Sequence, residues 1–215
     1  MLWWGFTVII SAWSDKGGQG KTTLAVNVAA CLKVPLIDLD PQADAARWAA
    51  RVGHPCTAFG EETEPEDVAK QIAPKFTSDD LVVVDCPPGH HTRSLLGMSL
   101  SRLTIIPVKS GDADLAAFGR AIERVQEIRQ RGNPDLEVGV VLNFARGTRW
   151  SHVTHEALSR KTNHFHYLGE IGLRQSVEDS YRHGKTLLSM GGATAHEFRS
   201  VLQHLLDLNI FNIIP

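Results

Sequence analysis

Residues 14–24 read SDKGGQGKTTL, directly after the apolar run FTVIISAW at 6–13 and directly before an apolar segment with helical spacing. Glycines at 17, 18 and 20 let consecutive backbone N–H groups curl around phosphate oxygens, and the helix start that follows adds its partial positive charge. In such a loop Lys21 reaches the β- and γ-phosphates and the Thr22 hydroxyl ligates Mg²⁺. Gly17, Gly18, Gln19, Gly20, Lys21, Thr22 and Thr23 are therefore the expected nucleotide contacts, with ATP and Mg²⁺ as the ligands. The spacing departs from the general pattern GxxxxGK[ST]. The residue five before Gly20 is Asp15, so the first glycine is missing and Lys16-Gly17 stand in its place. Two lysines bracket one loop, and the residues alone give Lys16 only the role of an extra phosphate contact on its own chain.

Outward from the loop, short apolar runs alternate with helix-length segments. VPLIDLD (34–40), LVVVDCPPG (81–89), LTIIPVK (103–109), LEVGVVLNFA (136–145) and FHYLGEI (165–171) read as strands after the first one. Between them lie helix candidates at 20–33, 43–53 and 114–132, with Gly132 as a stop, and a last helix at 193–208. Val- and Ile-rich strands alternating with helices predict an α/β fold, a mostly parallel twisted sheet covered on both faces, with ligands at the carboxyl ends of the strands. GEETEPED (60–67) reads as an acidic surface loop or helix start, and Trp3 and Trp4 as packing residues.

The KGGxGK[ST] form of the loop resembles the deviant Walker-A ATPases of the ParA/MinD family. Two segments fit in the same order. LIDLDPQAD resembles the family's switch segment DxDPQ, and LVVVDCPPG is an apolar strand capped by Asp85, the Walker-B pattern. The resemblance implies that Lys16 reaches across a dimer interface to the partner's ATP and that Asp40 orients the attacking water. It also implies that Asp40 and Asp85 support Mg²⁺ beside Thr22. Lys16, Lys21 and Asp40 would then be catalytic. Asp114 matches the family's acidic residue after a strand-end proline, and Asn143 the strand-end Asn that reads adenine. The likeness runs from residue 6 to about 190 and is strongest before 90. Asp15 and Gln19 depart from the residue types usual in the family's loop, and the turn CLKVPL is unusually short.

Bulk properties narrow the function further. At 215 residues, 43% hydrophobic and 21% charged, the chain reads as one soluble P-loop domain over 1–215, without the N-terminal DNA-reading domain of larger relatives. Three cysteines without CxxC spacing argue against a disulfide framework, a zinc knuckle and an iron–sulfur reductase, and only two tyrosines against a tyrosine kinase. The ten histidines offer no convincing ligand set, although His152 and His155 stand at helical spacing. A net charge of 22 − 24 = −2 leaves no whole-molecule field for DNA, so binding there needs a local patch. Arg174, Arg182, Lys185 and Arg199 are its candidates. The tail FRSVLQHLLDLNIFNIIP has few positive charges, which disfavours a membrane anchor. The family resemblance thus implies a cytoplasmic, nucleoid-associated partition ATPase. ATP would close its homodimer on non-specific DNA, and a ParB-like centromere-binding adaptor would trigger hydrolysis. The alternative is a MinD-like or other positioning ATPase acting on a membrane or a non-DNA cargo.

Overall fold

The computed structural model describes residues 8–72, 81–160, 162–208 and 210. The strands are β1 (Val8–Ala12), β2 (Leu36–Asp38), β3 (Cys56–Ala58), β4 (Leu81–Asp85), β5 (Leu103–Val108), β6 (Glu137–Ala145) and β7 (His166–Gly172). They pair in parallel throughout, in the spatial order β3-β2-β4-β1-β5-β6-β7. The helices are α1 (Lys21–Leu32), α2 (Asp44–Arg51), α3 (Pro65–Ile72), α4 (Thr92–Ser99), α5 (Asp112–Arg131), α6 (Arg149–Ser159), α7 (Gln175–Arg182) and α8 (Gly192–Leu206).

Both faces of the sheet are covered because alternate side chains of each strand point to opposite faces. In β4, Val83 joins a core built with Leu24 of α1, Trp48 of α2, Val177 of α7 and Phe198 of α8. Val82 and Val84 join the opposite core, with Val68 of α3, Met98 of α4, Val125 of α5 and Leu158 of α6. Strands buried on both sides are apolar at nearly every position, which is why these runs were visible in the sequence.

The predicted fold class holds, with one strand more than the apolar runs indicate. β3 is three residues long, at the sheet edge, partly or fully exposed, so no hydrophobic run marks it. The acidic stretch does lead into a helix, and α3 begins at Pro65, where the missing N–H is no loss. Gly132 closes α5 as expected. The short turn after α1 is made by Lys33 in the left-handed region, φ 57°. Trp3 and Trp4 lie outside the described residues, as does most of the apolar tail after 208. Among the described residues no helix is long and apolar enough to cross a membrane.

Candidate nucleotide site

β1 is central, with β4 on one side and β5 on the other, so its glycine loop emerges between two further strand ends. The loop enters α1 through Gly20, at φ 96°, and α1 has no side-chain cap. Its first-turn N–H groups are left for an anion. Glycine is required at 20 for a second reason. A Cβ there would stand 2.1 Å from Asn143 Nδ2 and 3.2 Å from the Phe144 ring.

Lys21 and Thr22 open α1 facing the end of β4. The Thr22 hydroxyl donates to Asp85 Oδ2 at 2.7 Å, and Asp85 Oδ1 is buried with no hydrogen-bond partner among the described residues. Burial, followed by the neighbouring Asp38, pushes the Asp85 carboxyl up to about 8. Burial also lowers Lys21, against the opposing pull of Asp85 and Asp40. A hydroxyl beside an under-coordinated carboxylate is the oxygen donor set that Mg²⁺ takes, with most of its shell left to water and phosphate. The residues present fit a Mg²⁺–nucleotide, with Thr22 and Asp85 as its protein side and Lys21 on the phosphates.

Asp38 and Asp40 divide their roles by position. Asp38 is fully buried and accepts N–H bonds from Asp40 and Ala46, both at 3.0 Å, so it braces the turn into α2. Burial raises its carboxyl to about 6. Asp40 is only partly buried and lines a cavity of about 450 Å³ with Gln42, Pro87, Pro88 and His91. That cavity brings the expected switch segment after β2 face to face with residues 87–91, which follow the Walker-B strand.

Lys16 lies at the rim of the loop. Its Nζ donates to Asp114 Oδ1 at 3.1 Å while the side chain keeps 53% of its exposure. Gln19, almost fully buried, donates to the same oxygen at 3.0 Å, and its Oε1 accepts the Lys109 N–H at 3.2 Å. Asp15 contacts His90 at 3.0 Å and Arg120 at 3.2 Å. The two departures from the family's loop thus fasten it to the β4–α4 connection and to α5. Their unusual residue types were the signal.

Asn143, matched to an adenine-reading position, is fully buried, and its Nδ2 donates to Gln19 O at 2.7 Å. In this structure its amide supports the loop from below. Phe144, which the sequence reading passed over, follows it at a β-bulge with φ 56°. Its ring lies under the Lys109 ammonium at 4.9 Å and faces a cavity of about 760 Å³ that also touches Thr23, Trp150 and Leu173. Two of the four candidate DNA contacts, Arg174 and Arg182, line that same cavity. Arg174 is engaged internally: its Nη2 donates to Glu197 Oε1 at 2.7 Å and its Nη1 to Oε2, which also accepts the Gly172 N–H. Lys185 and Arg199 are exposed. His155 of the histidine pair bonds Tyr167 at 2.9 Å and Glu170 at 3.2 Å.

Several known proteins share this architecture. McdA of Cyanothece in its complex with ATP superposes with a TM-score of 0.78 at 18% identity, covering 94% of this chain and 97% of that one. The septum site-determining protein MinD of Pyrococcus horikoshii, complexed with Mg-ADP, gives 0.70 at 16% identity over 94% and 97%. In sequence, maintenance of carboxysome distribution protein A of Halothiobacillus neapolitanus is 33% identical over 138 residues, 60% of this chain and only 62% of that protein. The chromosome-partitioning ATPase Soj of Thermus thermophilus is 27% identical over 169 residues, 62% of this chain and 68% of its own length. The CobQ/CobB/MinD/ParA nucleotide binding domain matches residues 10–188, and with that span, the glycine loop and the parallel sheet in agreement, the chain belongs to the ParA/MinD family.

Proposed function

We propose that this chain is a Mg²⁺-dependent ATPase that closes into a homodimer around ATP and uses hydrolysis to release the dimer and reposition a cargo. The observation that carries this reading is the unequal pair of lysines on one loop. Lys21 is buried at the start of α1, whereas Lys16 is half-exposed and, among the described residues, held by a single ion pair to Asp114. An exposed pair of this kind contributes no more than about 1 kcal/mol, so Lys16 can exchange Asp114 for a more demanding anion on a second subunit.

In the closed dimer Lys21 and the loop amides hold the phosphates of their own chain. Lys16 of each subunit neutralises charge that develops on the partner's nucleotide. Asp40, at the cavity between its own switch segment and residues 87–91, orients the attacking water. Bound Mg²⁺ would supply charge neutralisation on the phosphate oxygens, held by Thr22 and, through water, by Asp85. The nucleoside occupies the 760 Å³ cavity that adjoins Thr23.

For the cargo, the first reading is a plasmid or chromosome, with the dimer on non-specific DNA, at the nucleoid in the cytoplasm, and a ParB-like adaptor stimulating hydrolysis. A second reading is favoured by the 33% identical relative, whose name refers to carboxysome distribution: the chain positions a large non-DNA body. Light scattering tests the core of the proposal. The Asp40→Ala protein with ATP and Mg²⁺ should have twice the mass it has with ADP. Equal masses would remove the dimer and the role of Lys16 together. Adding DNA to the trapped dimer then separates the cargo readings, because only the first requires DNA binding by this chain.

A further inference from the structure

Arg93 is the second residue of α4, two residues after the segment PPGHH (87–91). A cation in the first turn opposes the helix dipole, so this is an unfavourable place for it without a specific partner. It is also 7% exposed, and among the described residues it forms no ion pair. A buried guanidinium without a carboxylate persists only when its N–H groups are satisfied.

Here they are satisfied by main-chain carbonyls from two other segments. Nη1 donates to Phe59 O at 3.0 Å and to Leu39 O at 3.4 Å. Nη2 donates to Thr63 O at 2.5 Å, to Glu61 O at 3.4 Å and to Gly60 O. One planar group therefore fastens the start of α4 to the loop after β3 and to the residue that immediately precedes Asp40. Arg93 and Glu61 line the same cavity as Asp40, Pro87 and Pro88. A five-donor fork can bridge so many acceptors at once, whereas a lysine ammonium offers three donors from one point.

We propose that Arg93 is a positioning residue for hydrolysis: it sets the place of Asp40 by joining the segments after β2, β3 and β4 into one unit. This rests on the reading of Asp40 as the group that orients water. The test uses Arg93→Lys and Arg93→Met in the full chain. Both variants should keep their KM for ATP within about 3-fold of wild type while kcat falls at least about 10-fold, less in the lysine variant. Guanidinium added to Arg93→Ala should restore part of the lost rate. A fall in melting temperature with kcat per folded molecule unchanged would overturn the proposal, since that is what a purely structural clamp predicts. If the variants do not fold, hydrogen exchange on the wild-type protein decides. Peptides covering 38–44 and 58–64 should open with the same protection, and independent opening overturns the inference. Asp40→Ala separates the two levels. If it hydrolyses ATP at the wild-type rate, the reading of Asp40 is wrong. If it is inactive while the Arg93 variants match wild type, only the positioning role is lost.

Discussion

Two cavities of nearly equal size open at opposite ends of β6 and β7, about 760 Å³ at the carboxyl ends and about 730 Å³ at the amino ends. Their chemistry differs because parallel strands make the two ends of the sheet unlike. At the carboxyl ends each strand leads into a helix N-terminus, and the uncapped start of α1 presents N–H donors beside the cavity that Thr23 and Phe144 line. At the amino ends the helices finish instead. Residues near the ends of α5, α6 and α8, among them Arg129, Ser159 and Asp207, surround the second cavity. Its one glutamate is already engaged: Glu137 bonds His166 at 2.8 Å and Arg102 at 3.0 Å. Size alone would not separate the two. The direction of the helix ends does.

The largest effect that would break this contrast belongs to Lys21. Lys21→Ala should weaken ATP binding by roughly 100-fold or more, since it removes a charge-assisted bond to the terminal phosphates in a desolvated site. Titration calorimetry reads it directly. Lys16→Ala should leave monomer binding within a few-fold yet abolish the ATP dimer trapped by Asp40→Ala. Equal losses of affinity in the two lysine variants would contradict the division of labour between them.

Smaller and conditional is DNA binding. With Arg174 engaged by Glu197, the test falls on Arg182, Lys185 and Arg199. Changing these three to Glu should remove a mobility shift that otherwise depends on ATP, ignores sequence and weakens with salt at a slope of about −0.9 per phosphate neutralised. A shift unaffected by the triple change places the DNA contact elsewhere on the dimer, and no shift with the trapped dimer at low salt moves the interpretation to a non-DNA cargo.

The pH response of the metal-free protein sharpens the comparison at the Asp85 side. With its carboxyl pushed up to about 8 by burial, the folded chain keeps a proton that the unfolded chain releases near pH 4. Raising pH from 5 toward 8 therefore favours unfolding through this group, and Asp85→Asn should lose that dependence. Melting in chelator should show the wild type falling relative to the variant as pH rises. A constant difference across that range would mean Asp85 is already ionised in the fold. The smallest effect is expected at the amino-end cavity, where His166→Ala should change ATP affinity by less than about 2-fold.

The loop, Asp85 and the five later apolar strands were legible because each is a local pattern: glycines where backbone must approach a phosphate, and mainly apolar runs bounded by turn residues. The edge strand β3 was not, since three partly or fully exposed residues need no apolar signature. Arg93 gave no signal either, because its partners are carbonyls 30 to 54 residues away in sequence. The composition of those partners is irrelevant to the bond.

Local sequence thus determined the family, the glycine loop and the order of the six apolar strands, for these depend on residue type and spacing within a few turns of chain. Tertiary structure decided what each polar side chain does once strand ends from distant parts of the chain meet. It made Asn143 a support beneath Gln19, paired Lys16 with Asp114 across 98 residues, and left Asp85 with a free buried oxygen beside Thr22. Hydrogen-bond partners and burial are properties of the assembled sheet, and a linear pattern does not carry them.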